Sequence, residues 1–186
     1  DRALRLATQL VSSNDPTQMV RLYPSYYWDQ IAEAAHEAQV DPYLILSVIR
    51  QESFFNSDAV SRVGAVGLMQ IMPQTGRKLA RSLGVRPFER QLLFDPDVSI
   101  RLGTRFLGDQ VRSFERGPAQ NLGTALGLAA YNAGPRVTRS WLERFPYEDT
   151  DAFVERIPYK ETRLYVKKVL KNYAIYRTLN GSTRTL

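Results

Sequence analysis

Apolar residues recur at helical spacing along most of this chain. In residues 26–39, Trp28, Ile31, Ala35 and Ala38 share one face. Asp41-Pro42 then reads as an N-cap with proline at the first helical position. Ile45, Val48, Ile49 and Glu52 follow at i, i+3, i+4 and i+7, a single stripe. Pro73 opens another helix, which Gly84 ends. Asp95-Pro96-Asp97 starts a longer one, with Val98, Leu102, Phe106 and Val111 inward, broken by Gly117-Pro118. Residues 121–132 are apolar nearly all round, as befits a central buried helix. A short helix over 136–145 and an acidic loop over 147–151 precede the last helix. That helix, 160–179, directs Leu164, Tyr165, Val169, Tyr173 and Tyr176 inward. Prolines fall between these segments or at their starts, and no stretch alternates with a strand's period. The fold class is therefore mainly α, with at most a small irregular or β-like patch near residues 57–67.

Residues 1–22 form one or two short helices, with Asp15-Pro16 as a helix start, and read as the tail of a preceding helical domain. Residues 23–186 make up the main domain. The whole chain, 186 residues, suffices for one domain with a sizeable core.

Glu52 is the anomaly in this pattern. A carboxyl occupies a place where the stripe calls for an aliphatic side chain, near a helix C-terminus whose dipole disfavours negative charge. Apolar surroundings act in the same direction, towards a raised pKa of about 6 or higher. A carboxyl that keeps its proton near neutral pH is what a general acid requires. A structural ion pair or a side chain reaching out to water is the competing reading.

Composition narrows the chemistry. The absence of cysteine excludes disulfides and thiol nucleophiles. The single histidine, His36, lies in an Ala/Glu-rich helix and reads as solvated, so a serine–histidine triad or a zinc cluster is not expected. No metal and no cofactor is called for. A net charge of +6 suits anionic partners, yet no Lys/Arg run is dense enough to indicate nucleic acid. No apolar run is long enough to span a membrane, and no signal-peptide core opens the sequence, so an exported form would have lost its signal.

Four separated stretches add specificity: Glu52-Ser53; Ser61 with Gly64-Ala65-Val66-Gly67-Leu68-Met69-Gln70-Ile71-Met72-Pro73; Ala130-Tyr131-Asn132-Ala133-Gly134; and Ile157-Pro158-Tyr159-Lys160-Glu161-Thr162-Arg163-Leu164-Tyr165-Val166. In order and content they resemble the soluble lytic transglycosylases that cleave bacterial peptidoglycan, from about Tyr23 to Tyr176. The resemblance implies a lysozyme-like helical fold and a single catalytic acid, matched by Glu52. It implies saccharide-groove positions at Ser61, Gln70 and Met72, groove residues at Tyr131 and Asn132, and a second, non-catalytic carboxylate at Glu161. It further implies peptidoglycan strands as partner, alongside other cell-wall enzymes, and a periplasmic or cell-envelope location, without nucleic acid or stable membrane insertion.

Read without the resemblance, several of these residues have plainer explanations. Gln70 is equally a groove residue or a core hydrogen-bonder. Met72 is core packing or a groove lip. Asn132 is a routine helix end, and Glu161 a first-turn dipole partner. Gly64 and Gly67 are turn residues or points of close backbone approach. Two positions depart from the family pattern: Ser57 follows Asn56 where proline is frequent, and Gly76 replaces the usual alanine at a cost of about 1 kcal/mol of helix preference. A hydrolytic muramidase of similar fold would need a second carboxylate, for which Asp58 and Glu148 are candidates. A non-catalytic wall-binding module is the third reading.

Overall fold

A computed structural model of the protein describes residues 16–115, 122–144 and 149–180. The described helices are α1 (Pro16–Leu22), α2 (Trp28–Ala38), α3 (Pro42–Glu52), α4 (Pro73–Ser82), α5 (Pro96–Glu115), α6 (Gly123–Ala133), α7 (Pro135–Arg144), α8 (Thr150–Arg156) and α9 (Lys160–Asn180). A 3-10 turn, Arg90–Phe94, precedes α5. No β-strand occurs among the described residues. The irregular stretch between α3 and α4 contains only isolated antiparallel bridges, Val60 with Val66 and Val66 with Ile71.

The all-apolar segment becomes the central helix. α6 packs against α5, α7 and α9, with Leu126, Leu128, Ala129 and Ala130 fully buried. Gly127 lets α5 approach α6 closely, since a Cβ there would stand 2.8 Å from the Val111 backbone. α3 packs against α9 and α2. Its Ile45, Val48 and Ile49 are fully withdrawn from water, each such side chain contributing about 1.5–3 kcal/mol by burial. α3 begins as its sequence dictates: the Asp41 carboxylate accepts the Tyr43 N–H at 2.8 Å, with Pro42 at the first helical position. The second Asp41 oxygen accepts the Tyr173 hydroxyl at 2.7 Å, so one residue caps α3 and ties it to α9.

Three sequence expectations need correction. α8 occupies part of the stretch assigned to an acidic loop; the Asp149 side chain caps it by accepting the Ala152 N–H at 2.8 Å. The 3-10 turn was not expected. Leu164, assigned to the inner face of α9, is 44% exposed, whereas Tyr165, Val169 and Tyr176 are buried. Residues 1–15 of the N-terminal segment, and Glu148, lie outside the described residues.

Candidate active site

Glu52 is the last residue of α3 and is partly buried. The chain turns sharply beyond it. Phe54 and Phe55 both take positive φ, 51° and 63°, a conformation costing roughly 1–3 kcal/mol at a non-glycine residue. Packing holds the corner. Phe55 is buried edge-to-face with Tyr26 at 5.6 Å, and the Phe54 ring lies 5.3 Å from the guanidinium of the buried Arg50. Arg50 also donates to the Leu22 carbonyl at 2.6 Å and lies over the Tyr23 ring. The residues flanking Glu52 in sequence are thus fixed to the α1–α2 connection.

Burial pushes the Glu52 carboxyl up from its ordinary 4.5 to about 7. The Tyr165 hydroxyl opposes the shift by favouring the carboxylate, and the charge of Glu161 adds to it. Tyr165 lies on α9. Its buried hydroxyl stands beside Glu52 and favours the carboxylate by hydrogen bonding, and no other group partners it among the described residues. Tyr131, on α6, also feels the charge of Glu52. Its hydroxyl donates to the Met69 carbonyl at 2.7 Å, and its ring packs on Phe106 at 5.1 Å. Burial, with the charge of Glu52 added, raises both phenols well above their ordinary value. They are neutral hydrogen-bonding groups at any physiological pH. α3, α6 and α9, distant in sequence, therefore bring Glu52, Tyr131 and Tyr165 to one place.

The other expected residues divide by what they touch. Asn132 is exposed, and its Oδ1 accepts the buried Thr162 hydroxyl at 2.7 Å, linking the end of α6 to the start of α9. Glu161, beside Thr162, is exposed, and no basic side chain pairs with it among the described residues. Ser61 accepts the Ala65 N–H at 2.9 Å and staples a tight turn. Gln70, at φ 48°, donates its side-chain amide to the Ala59 and Gly67 carbonyls at 3.0 and 2.9 Å. These two bonds clamp the loop. Gly67, at φ 80°, is a point of close approach within the protein, for a Cβ would stand 1.9 Å from the Leu93 carbonyl oxygen. Met72 is 42% exposed where the loop meets α4. The Asn56 side chain accepts the Asp58 N–H at 3.0 Å, an Asx turn that supplies the rigidity a proline at position 57 would give.

Sequence reasoning missed Tyr165 as a site residue because its position on α9 marks it as core. The signal available was a polar-tipped aromatic on a buried face, whose hydroxyl needs a partner. His36 is exposed, as its surroundings suggested. Among the described residues no group of three His, Cys, Asp or Glu could hold a metal, and no helix is long and apolar enough to cross a membrane.

A carboxyl with a raised pKa beside two neutral phenols, at the junction of three helices, is the arrangement a general acid–base group requires in an all-helical scaffold. The chain belongs to the transglycosylase SLT domain family, which matches residues 29–154. The soluble lytic transglycosylase helical domain matches residues 156–184. The soluble lytic murein transglycosylase of Escherichia coli strain K12 is 36% identical over 166 residues, covering 88% of this chain and 25% of that protein. An inactive mutant of the lytic transglycosylase Slt from Pseudomonas aeruginosa superposes with a TM-score of 0.84 at 34% identity, covering 98% of this chain and 28% of that one. A 70-kDa soluble lytic transglycosylase solved with bulgecin A gives 0.78 at 34% identity, covering 88% and 26%. The chain thus spans about a quarter of the length of the curated relative it matches.

Proposed function

We propose that this chain is the catalytic unit of a peptidoglycan lytic transglycosylase, cleaving the β-1,4 bond between N-acetylmuramic acid and N-acetylglucosamine without water. The observation that carries this reading is the state of Glu52: one carboxyl, held neutral up to about pH 7, with the charge of Glu161 adding to the effect of burial. The Glu52 proton passes to the glycosidic oxygen as the bond to muramoyl C1 breaks. The Glu52 carboxylate then takes the proton of the muramoyl C6 hydroxyl as O6 bonds to C1. The products are a free 4-hydroxyl and a 1,6-anhydro ring, and Glu52 ends as it began. A pKa near the working pH suits a group that must give and regain one proton.

The substrate's own groups take the place of a second carboxylate. Retaining and inverting glycosidases position two carboxyl groups about 5–9.5 Å apart. Asp58 is exposed and is not among the groups that shift Glu52. A tethered C6 hydroxyl reacts with an effective molarity of up to about 10⁸ M in favourable geometry. Tyr131 and Tyr165 orient the sugar and tune Glu52. Ser61, Gln70, Met72, Asn132 and Glu161 line or shape the groove, and the hydrogen bonds of Ser61 and Gln70 fit the shaping role.

Action on peptidoglycan places the protein in the cell envelope, with glycan strands as partner and other cell-wall enzymes as neighbours. Digesting purified sacculi, reducing with borohydride and weighing the muropeptides tests the reading. Products lighter by one water and without reducible ends are expected. A majority of reducible muramic acid ends would overturn it in favour of hydrolysis, and retained binding with no release would favour a wall-binding module.

A further inference from the structure

Arg50 carries a charge that the proposed reaction leaves unused. It is 3% exposed, although a guanidinium ordinarily stays in water. It stands two residues before Glu52 in the last turn of α3. Two residues of a helix are about 200° of rotation, so the two side chains leave α3 on opposite sides. The Arg50 charge is not among the causes that shift Glu52, which are burial, Tyr165 and Glu161. Tyr131 of α6 is the other group that feels the carboxyl. Any influence of Arg50 on Glu52 therefore passes through the backbone between them and the corner beyond.

The contacts of Arg50 enclose Glu52. The Arg50 carbonyl accepts the Phe54 N–H at 3.2 Å, and the Arg50 guanidinium lies 5.3 Å from the centre of the Phe54 ring. Arg50 thus holds Phe54 by main chain and side chain together, with Glu52 midway between them in sequence. The same guanidinium donates to the Leu22 carbonyl at 2.6 Å and lies 4.2 Å from the centre of the Tyr23 ring. Tyr23 meets the Tyr176 ring edge-on at 5.2 Å, and the Tyr176 hydroxyl donates to the Pro24 carbonyl at 2.9 Å. The Arg50 charge acts on that hydroxyl as well. One buried cation ties the corner after Glu52 to the chain entering α2 and to α9, the helix that carries Tyr165. The corner needs such a tie. Phe54 and Phe55 sit at φ 51° and 63°, in the left-handed region that side chains of this size rarely adopt. Released, the corner would relax and unwind the last turn of α3, of which Glu52 is the final residue.

We propose that Arg50 is a positioning residue for Glu52, clasping the strained corner so that the carboxyl stays withdrawn from water and fixed in direction. The catalytic part of this inference rests on the transglycosylase reading above. Burial is the largest cause of the raised Glu52 pKa, so a loosened corner should let it fall.

The test compares the wild type with Arg50→Met, Arg50→Lys and Phe54→Leu on soluble glycan strands, each rate divided by the folded fraction. Methionine removes the cation, lysine keeps the charge without the planar fork, and leucine removes only the ring. In Arg50→Met, kcat is expected to fall about 10- to 100-fold, as for a small misplacement of a reacting group, with KM within about twofold. The alkaline limb of the pH–rate profile should move downward. Arg50→Lys should recover part of the rate, and Phe54→Leu should move the limb in the same direction. A lowered melting temperature with kcat per folded molecule and the limb both unchanged would make Arg50 a fold-stabilising residue only, and overturns the proposal. If the arginine variants do not fold, Phe54→Leu, which alters a half-buried ring, decides by the same readouts. Titration of the Glu52 carboxyl by carbon-13 NMR needs no substrate. If the wild-type chain releases nothing from the strands, the activity reading has failed, and the clasp is judged by that titration. A lower Glu52 pKa in the variants supports it, and an unchanged one rejects it.

Discussion

At Glu52, burial and charge set both catalysis and stability. The folded carboxyl keeps its proton up to about pH 7, whereas an unfolded chain releases it near the ordinary 4.5. Between those values the native state binds more protons, so stability falls as pH rises through the window. Glu52→Gln keeps the volume and removes the transferable proton. The variant should be folded and inactive on sacculi. Its stability advantage over the wild type should grow by up to about 3 kcal/mol between pH 4.5 and pH 8, read by urea denaturation at both ends. A constant gap would show that Glu52 is not buried as an acid. In the wild type, bond cleavage should decline as pH rises through about 7, because the acid form starts the reaction. Tyr165 offers a second check. Its hydroxyl favours the Glu52 carboxylate, so Tyr165→Phe should move the alkaline limb of the pH–rate profile upward. A downward shift of the limb would contradict the assigned role.

Helices meet at the site because their ends are tied together by single residues. Asp41 caps α3 and holds Tyr173 of α9, and its proximity, after burial, helps push that phenol up to about 12. Asp41→Ala removes both interactions and should cost about 2–3 kcal/mol in urea denaturation, while Asp41→Ser keeps the cap and should recover about 1 kcal/mol. A loss under 1 kcal/mol for the alanine variant would show that α3 is held by packing alone. The loop between α3 and α4 is fixed in the same manner by Gln70 and Gly67. Gly67→Ala meets the Leu93 carbonyl at 1.9 Å and strains a positive φ, so it should cost more than about 2 kcal/mol and melt well below the wild type.

Across the molecule, what could be read from sequence was what is encoded locally. The cap of α3, the stripe ending at Glu52 and the all-apolar α6 follow from spacing within one helix. α8 and the 3-10 turn escaped because a helix of 7 residues and a turn of 5 are too short for a period to show. Leu164 was misplaced because the start of α9 exposes a position that the helix-wide pattern assigns to its inner face. Glu52 stood out as a carboxyl among aliphatic residues, but the phenols that face it come from α6 and α9, and no local pattern links those helices to α3. The carbonyls that Gln70 clamps, those of Ala59 and Gly67, follow from the path of the loop and not from a local period. The substrate's own hydroxyl, not water, closes the bond in the proposed reaction. Digestion of sacculi in water enriched in oxygen-18 tests it directly. The muramoyl products should carry no heavy oxygen at C1, whereas incorporation of one heavy oxygen into most of them would contradict the account.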